Sequence, residues 1–205
     1  MATTASPYGL KAVNHIGGTP YAGSTRLLPI ASGYAVNIYN GSIVQIAAAG
    51  TIEIVTVTGN GGGGAAASFP AGTIGVFVGV TYTDPNLGTV VFRQSFPTGT
   101  VANDIQAYII DDPDVIFMAQ ADAAVTQADL GQNTHLAAVQ STTTGSTTTG
   151  NSSSAVDATT ATTAAFAFRI VDFVDSPTST VGDAFTDLLI KFNAGIHSYD
   201  NATGI

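Results

Sequence analysis

The chain has 205 residues, enough for one domain with a hydrophobic core of its own. Apolar residues make up 45% of it and charged residues only 9%, which excludes a disordered chain and an independent coiled coil. The net charge is −9, and the five cations are scattered along the sequence: Lys11, Arg26, Arg93, Arg169 and Lys191. Because phosphate binding needs clustered cations, we expect no nucleic-acid partner.

Cysteine is absent, so there is no disulfide framework and no thiol nucleophile. The N-terminal residues lack the apolar run of a secretory signal. No apolar run approaches the roughly 20 residues that a membrane helix needs. The sequence therefore predicts a soluble acidic protein without a membrane partner.

Residues 1–30 contain three prolines and several glycines and follow neither a strand nor a helix period, which predicts an extended N-terminal arm lying on some surface. Residues 31–205 are predicted to form one β-rich barrel or sandwich domain. A sub-boundary near residues 119–130 is an alternative that the sequence leaves open.

Alternating β-favouring residues begin at Tyr34. The segments 34–39 and 42–46 flank Asn40-Gly41, a strong turn signal, and predict a β-hairpin. The next alternating segment, 51–58, is expected to turn Ile52, Ile54 and Val57 inward. Further strands are predicted over 74–82 and 88–92, around a turn at 83–86, and over 104–110 and 115–119, which we expect to form a second hairpin.

The second half of the chain is less regular. Residues 120–130 predict at most a short helix, begun by the capping pair Thr126 and Asp129. The Ser/Thr-rich stretch 141–163 is either a solvated loop or a set of edge strands. A strand is predicted over 166–174, a helical turn over 183–187, and a final strand over 188–192.

Short strands separated by turn signals indicate an all-β fold, a β-barrel or sandwich of short antiparallel strands with the extended arm and at most short helices. No fixed-length repeat is visible, which argues against a propeller or a solenoid.

Two motifs could bind ions. The glycine-rich run 59–64 lacks the Lys-Ser/Thr of a phosphate-binding loop, and we interpret it as a flexible hairpin tip. Asp111, Asp112 and Asp114 place three carboxylates within four residues and could hold a hard cation such as calcium. Aspartate and proline also favour a tight turn, and we prefer that interpretation.

No catalytic constellation can be named. His15, His135 and His197 are far apart in sequence and lack metal-ligand spacing. Glu53 lies in an alternating strand, where the solvent face is the simpler interpretation. We therefore expect no enzymatic activity and no catalytic, cofactor-binding or metal-binding residue. The glycosylation patterns at Asn40, Asn151 and Asn201 are discounted because such patterns arise by chance in a Ser/Thr-rich chain.

Nearly the whole chain resembles a family of virion structural proteins from tailed bacteriophages that is common in marine genomes. The resemblance rests on segments that occur in the same order: SPYGLKAVN (6–14), GTPYAGS (18–24), IYNGSIV (38–44), GVFVGVTY (75–82), AYIIDDPD (107–114), ADLGQN (128–133), the Thr-rich stretch near 156–157, RIVDFV (169–174), VGDAFTDLLIKFN (181–193) and HSYDNATG (197–204).

The resemblance implies a head decoration, or cement, protein, made in the host cytoplasm and displayed on the outer capsid surface, with the major capsid protein as its partner. It carries over no site residue. We expect a homotrimer whose arm and one barrel end grip the capsid. Two alternatives remain open: a tail or fibre component that binds host surface glycan, and a hydrolase of cell-wall polymer.

Overall fold

The structure, a computed structural model, describes residues 4–56 and 69–204. It confirms the predicted all-β class: two antiparallel sheets pack in a sandwich-like arrangement, and neither closes into a barrel. The strands of the described residues are β1 (Lys11–His15), β2 (Arg26–Pro29), β3 (Ile43–Ile46), β4 (Ile52–Ile54), β5 (Thr73–Thr83), β6 (Val90–Arg93), β7 (Gln106–Ile110), β8 (Val115–Gln120), β9 (Asn133–Thr134), β10 (Phe168–Phe173) and β11 (Asp187–Phe192).

The first sheet, sheet A, has the strand order β1-β8-β11-β10-β9. The second, sheet B, has the order β2-β7-β5-β3-β4, and β6 pairs with the C-terminal half of β5. Sheet B is so strongly curled that its two ends meet: Ile30, just after β2, forms a single bridge with Ile52 of β4.

Two hydrophobic clusters fill the molecule, one between the sheets and one inside the curl of sheet B. Neighbouring residues of one strand belong to different clusters: Val76 faces sheet A while Phe77 faces the curl, and both are fully buried. The same division separates Ile43 from Val44. Successive side chains of a strand point to opposite faces, so a strand between two cores is apolar on both. This accounts for the nearly unbroken apolar run of β5.

Several predicted elements are confirmed. Ile52 and Ile54 are buried, while Val57 lies outside the described residues. The hairpin of β5 and β6 surrounds the expected turn. The short helix is a single 3₁₀ turn at Gln127–Asp129, with a capping box between Thr126 and Asp129.

The hairpin predicted at Asn40-Gly41 is wrong. A type I′ turn needs positive φ at both central residues, but only Gly41 has it, at +90°. The N–H of Ser42 donates to the Tyr39 carbonyl and closes a turn that redirects the chain. Residues 34–39 therefore lie outside the sheet, and Ile38 forms an isolated bridge with Phe96. Strand β3 forms its hairpin with β4 instead.

The hairpin predicted between β7 and β8 is also wrong. Strand β7 lies between β2 and β5 in sheet B, whereas β8 lies between β1 and β11 in sheet A. The acidic turn joining them crosses from one sheet to the other. Ile110 and Val115, on either side of the turn, are both buried in the cluster between the sheets, and this burial favours the crossover over local pairing. The helical turn predicted over 183–187 is wrong: residues 184 and 185 lie in a non-helical turn, and Asp187 is the first residue of β11.

The N-terminal segment is extended, and the surface it lies on is the chain's own. Strand β1 pairs with β8 at the edge of sheet A, and β2 pairs with β7 at the edge of sheet B. Before β1, Leu10 is buried and its N–H donates to the Gly41 carbonyl. Only residues near the start and the exposed loop 16–25 extend from these pairings.

Candidate functional surfaces

The three carboxylates of the acidic turn point to three separate basic side chains. Asp111 accepts from Arg26 at 2.8 Å, Asp114 lies 3.3 Å from the Lys191 ammonium, and Asp112 lies 3.6 Å from Nδ1 of His15. The partners come from β2, β11 and β1, so the turn fastens both sheets at the crossover. No group of three metal-ligating side chains occurs among residues 4–56 and 69–204.

Asp111 is the most enclosed of these carboxylates, with 16% of its side chain exposed. It accepts a second hydrogen bond, 2.8 Å long, from the hydroxyl of Tyr199, whose ring also packs under the Arg26 guanidinium. Burial, followed by the bond to Asp111, raises the pKa of Tyr199 to about 12. The phenol therefore stays a neutral donor and anchors the C-terminal segment to the turn.

The other two histidines are buried and distant from this turn. His135 stacks on Phe166 with ring centroids 4.5 Å apart and has Asp157 as its nearest carboxylate, at 3.9 Å. His197 is fully buried and accepts from the Tyr199 N–H, and burial lowers its pKa. Each of these rings packs as part of the protein interior.

The remaining predicted positions have structural partners or lie outside the described residues. Glu53 is half-buried and accepts a hydrogen bond from Gln45 on the neighbouring strand at 2.5 Å. The glycine-rich run 59–64 lies outside the described residues. Asn40 donates to the Val78 carbonyl, and Asn151 accepts from Gln94.

The Ser/Thr-rich stretch 141–163 follows neither expectation completely. It crosses the molecule as irregular chain with isolated bridges, including Asn40 to Asn151 and Ala121 to Val156, and several of its residues are buried. Just before it, the side chain of Gln140 is fully buried and bonds to the N–H and carbonyl of Ile43 and to the Val55 carbonyl. This amide acts as a neighbouring strand would, and no sequence motif indicates it.

A polar cleft of about 480 Å³ lies between residues 93–97 and 147–150. Its walls carry amides and hydroxyls, and its one charged side chain, Arg93, is bound to Asp84 at 3.2 Å. Amides and hydroxyls are the groups that bind neutral polar ligands such as sugars.

Exposed apolar side chains gather at one end of sheet B, a feature that sequence reasoning missed. Leu87 in the β5–β6 turn and Val101 in the loop before β7 are 66% and 64% exposed. Their loops converge, because residues 84–86 and 97–101 line one depression of about 420 Å³. We call Leu87 and Val101 with these loops the apolar end of sheet B.

The edge strand β6 is the second exposed apolar feature. Val90 and Phe92 are 71% and 65% exposed. The ring of Phe92 lies over Gly79, where an added Cβ would come within 2.6 Å of it, and meets the Tyr108 ring edge-on at 5.7 Å. These four side chains are the most exposed of the large apolar residues in the described part of the chain.

No family model, curated protein or solved structure matches this chain. No helix in the described part of the chain is long and apolar enough to cross a membrane.

Proposed function

We propose that the chain is a decoration protein of a tailed-phage head: it binds the outer surface of the capsid, stabilises the lattice of the major capsid protein and catalyses no reaction. The observation that carries the proposal is the apolar end of sheet B, where Leu87 and Val101 stand exposed on converging loops. A protein whose task is adhesion needs such a surface and needs no chemistry.

The arrangement of charges supports a protein partner rather than a nucleic acid. Arg26, Lys191 and Arg93 are bound to carboxylates, Lys11 packs over the Tyr8 ring at 4.3 Å, and Arg169 donates to Asn133. Arg169 and Lys191 face each other across β10 and β11, but both already have partners. A groove that follows phosphates needs several free cations in a row.

The stabilising effect follows from mass action. A protein that binds only the assembled lattice, and not separate capsid subunits, lowers the free energy of the assembled state alone. The chain is held rigidly, because the N-terminal strands and the acidic turn tie both sheets together, and rigidity suits that task. A rigid binder loses little conformational entropy when it docks.

The test is to locate the protein on virions of the encoding phage by cryo-EM and to add purified protein to heads that lack it. We expect density on the outer capsid surface and heads that withstand heating better after addition. The variant Leu87→Lys/Val101→Lys should fold and bind heads more weakly. Density on the tail alone, or heads equally stable without the protein, would reject the proposal.

A deletion of residues 1–30 is unsuitable as this test, because it removes strands β1 and β2 from their sheets. Removing residues 1–5 leaves those pairings intact.

The polar cleft favours a second candidate function, a tail or fibre component that binds host glycan. Its volume and its amide and hydroxyl lining fit a small sugar. Binding of purified protein to host surface polysaccharide, lost on Gln94→Ala, would support this candidate, and density on the outer capsid surface would reject it.

A further inference from the structure

Strand β6 has one hydrogen-bonded edge and one bare edge. The N–H of Asp84 donates to the Thr89 carbonyl, which fixes the phase of the antiparallel ladder between β5 and β6. Pairs two residues apart repeat this bonding, so Val91 and Arg93 bond to β5. Val90 and Phe92 therefore direct their N–H and carbonyl groups away from β5, and no described residue bonds to them there.

The other edges of the two sheets are covered or blunted. Beside β1, the N–H of His15 donates to the Thr19 carbonyl and the N–H of Tyr21 to the Val13 carbonyl. Beside β9, Asn133 and Ala161 exchange backbone hydrogen bonds. Strand β2 ends in Pro29, which has no N–H, and β4 meets the bridge from Ile30. Among the described residues, β6 combines a bare edge with two exposed apolar side chains, a combination that natural proteins usually avoid. The edge strand β2 also has an exposed apolar residue, Leu27, at 49%, but Pro29 two positions further on has no N–H to donate.

The bare edge is complementary to itself. When two β6 strands run antiparallel about a two-fold axis at Val91, Val90 of each copy lies opposite Phe92 of the other. The N–H and carbonyl groups that β6 directs outward then meet groups of the opposite kind. The side chains of Val90 and Phe92, on one face of the sheet, form apolar cross-strand pairs.

Charge permits this pairing despite the net charge of −9. Residues 85–92 carry no charge, and Arg93 at the end of the strand is bound to Asp84 of its own chain. No like charges meet across the axis, so repulsion between copies is long-range and is screened by salt. A second copy is therefore compatible with this edge.

From these features we infer that two copies of the chain associate through β6, in place of the homotrimer expected from the sequence, and form a two-fold dimer in which the two B sheets become continuous. This inference does not depend on the proposed function.

The first test is the mass of the full chain in solution by sedimentation equilibrium at low and at physiological salt. We expect a dimer that is tighter at the higher salt. Val90→Lys/Phe92→Lys places lysines opposite each other across the axis and should weaken dimerisation at least about tenfold. The matched control Leu87→Lys/Val101→Lys makes the same charge change on equally exposed residues away from the edge and should leave the dimer intact.

The second test uses the absence of cysteine. On the proposed axis, Val91 of one copy faces Val91 of the other in a non-hydrogen-bonded pair, with Cα atoms about 4.5 Å apart. Val91→Cys should therefore form a disulfide-linked dimer under mild oxidation. Val90→Cys is more exposed but faces phenylalanine in the other copy, and should link much more slowly.

A monomer at all concentrations, or a dimer or trimer that the β6 lysines leave unchanged, would overturn the inference. So would equal cross-linking of the two cysteine variants. A monomer whose β6 lysine variant fails to bind heads would assign the edge to the capsid protein and reject the second copy. Loss of head binding by Leu87→Lys/Val101→Lys with the dimer intact tests the proposed function separately.

Discussion

The two sheets differ in how their edges end. Both edges of sheet A are covered by the chain itself, through residues 19–21 beside β1 and Ala161 beside β9. In sheet B, no described residue bonds to the outer edge of β6, and the apolar end lies next to it. An exposed edge favours association with other strands, so a protein that covers one sheet and leaves the other open concentrates its adhesion there. In the proposed function, sheet A and the crossover turn hold the molecule together and sheet B supplies the contacts with the partner.

The largest expected loss of stability comes from a change within β5, whose N-terminal half lies between β3 and β7 and whose C-terminal half lies beside β6. At Gly75, with φ of +146°, an added Cβ would lie 1.9 Å from the Ile110 carbonyl oxygen, whereas at Gly79 it would lie 2.6 Å from the Phe92 ring and no closer than 3.2 Å to backbone, at the Arg93 carbonyl oxygen. Backbone cannot move aside as a side chain can. Gly75→Ala should lower the free energy of unfolding by more than about 4 kcal/mol or prevent folding. Gly79→Ala should cost about 1 kcal/mol.

Chemical denaturation of both variants measures this difference. Equal losses of unfolding free energy in the two variants would show that the backbone contact at Gly75 is no more restrictive than the contact with the Phe92 ring at Gly79.

Replacing the buried Gln140 amide, which bonds to the backbone of β3, should cause the next largest loss of stability. Gln140→Ala leaves the N–H and carbonyl of Ile43 and the Val55 carbonyl without partners in the interior. We expect a loss of about 3 kcal/mol in the free energy of unfolding. Gln127→Ala, at an exposed residue, should change it by less than about 0.5 kcal/mol. Thermal or urea unfolding would measure both, and a loss at Gln140 as small as at Gln127 would show that the amide is not structural.

Acid should weaken the region where the C-terminal segment docks. Burial lowers the pKa of His197 below its ordinary 6.5, against the opposing influence of the Ile74 backbone and of Asp200 and Asp111, and with a smaller contribution from Lys191. The unfolded chain therefore binds a proton before the folded chain does, and stability falls as the pH drops below about 6.5. His197→Asn, whose side-chain oxygen can accept from Tyr199, should lose less stability between pH 7.5 and 5.

Melting temperatures of wild type and variant across that range test the assignment. His15→Asn, at a half-buried ring beside Asp112, is the control. A variant at position 197 with the full acid sensitivity of the wild type would assign the titration to another group.

The smallest expected difference in stability is between two carboxylates of the crossover turn, Asp111 and Asp112. Asp111→Asn weakens the short ion pair with Arg26 and the bond from Tyr199, and should cost about 1 kcal/mol. Asp112→Asn, whose partner His15 is 3.6 Å away and whose side chain is 45% exposed, should cost close to nothing. Unfolding at low and high salt measures both, and equal losses would show that the turn does not depend on Asp111.

Local pattern predicted the strands from β3 to β8 and β10 and β11, but it missed β1, β2 and β9 and predicted a strand over 34–39 that does not form. It predicted the partners of the strands poorly. The apolar residues of β5, β10 and β11 were sufficient to place these strands, because most of the residues on at least one face of each are buried. Asn40-Gly41 and the acidic turn are genuine turns, but a turn signal does not determine whether the next strand returns to the same sheet. That choice depends on burial of distant residues such as Phe117 and Phe168.

The candidate surfaces depend even more on distant contacts. Nothing near Gln140 in the sequence indicates that its amide bonds to Ile43, 97 positions away. The exposure of Phe92 follows from where sheet B ends, and alternation alone predicts the side on which a residue points but not what covers it.

The most direct test of the account is a binding isotherm of purified protein on assembled heads of the encoding phage, beside unassembled major capsid protein at equal concentration. We predict saturable binding to heads, weakened by Leu87→Lys/Val101→Lys, and no binding to the separate subunits. Equal binding to both forms, or binding to neither, would contradict the claim that this chain stabilises an assembled capsid.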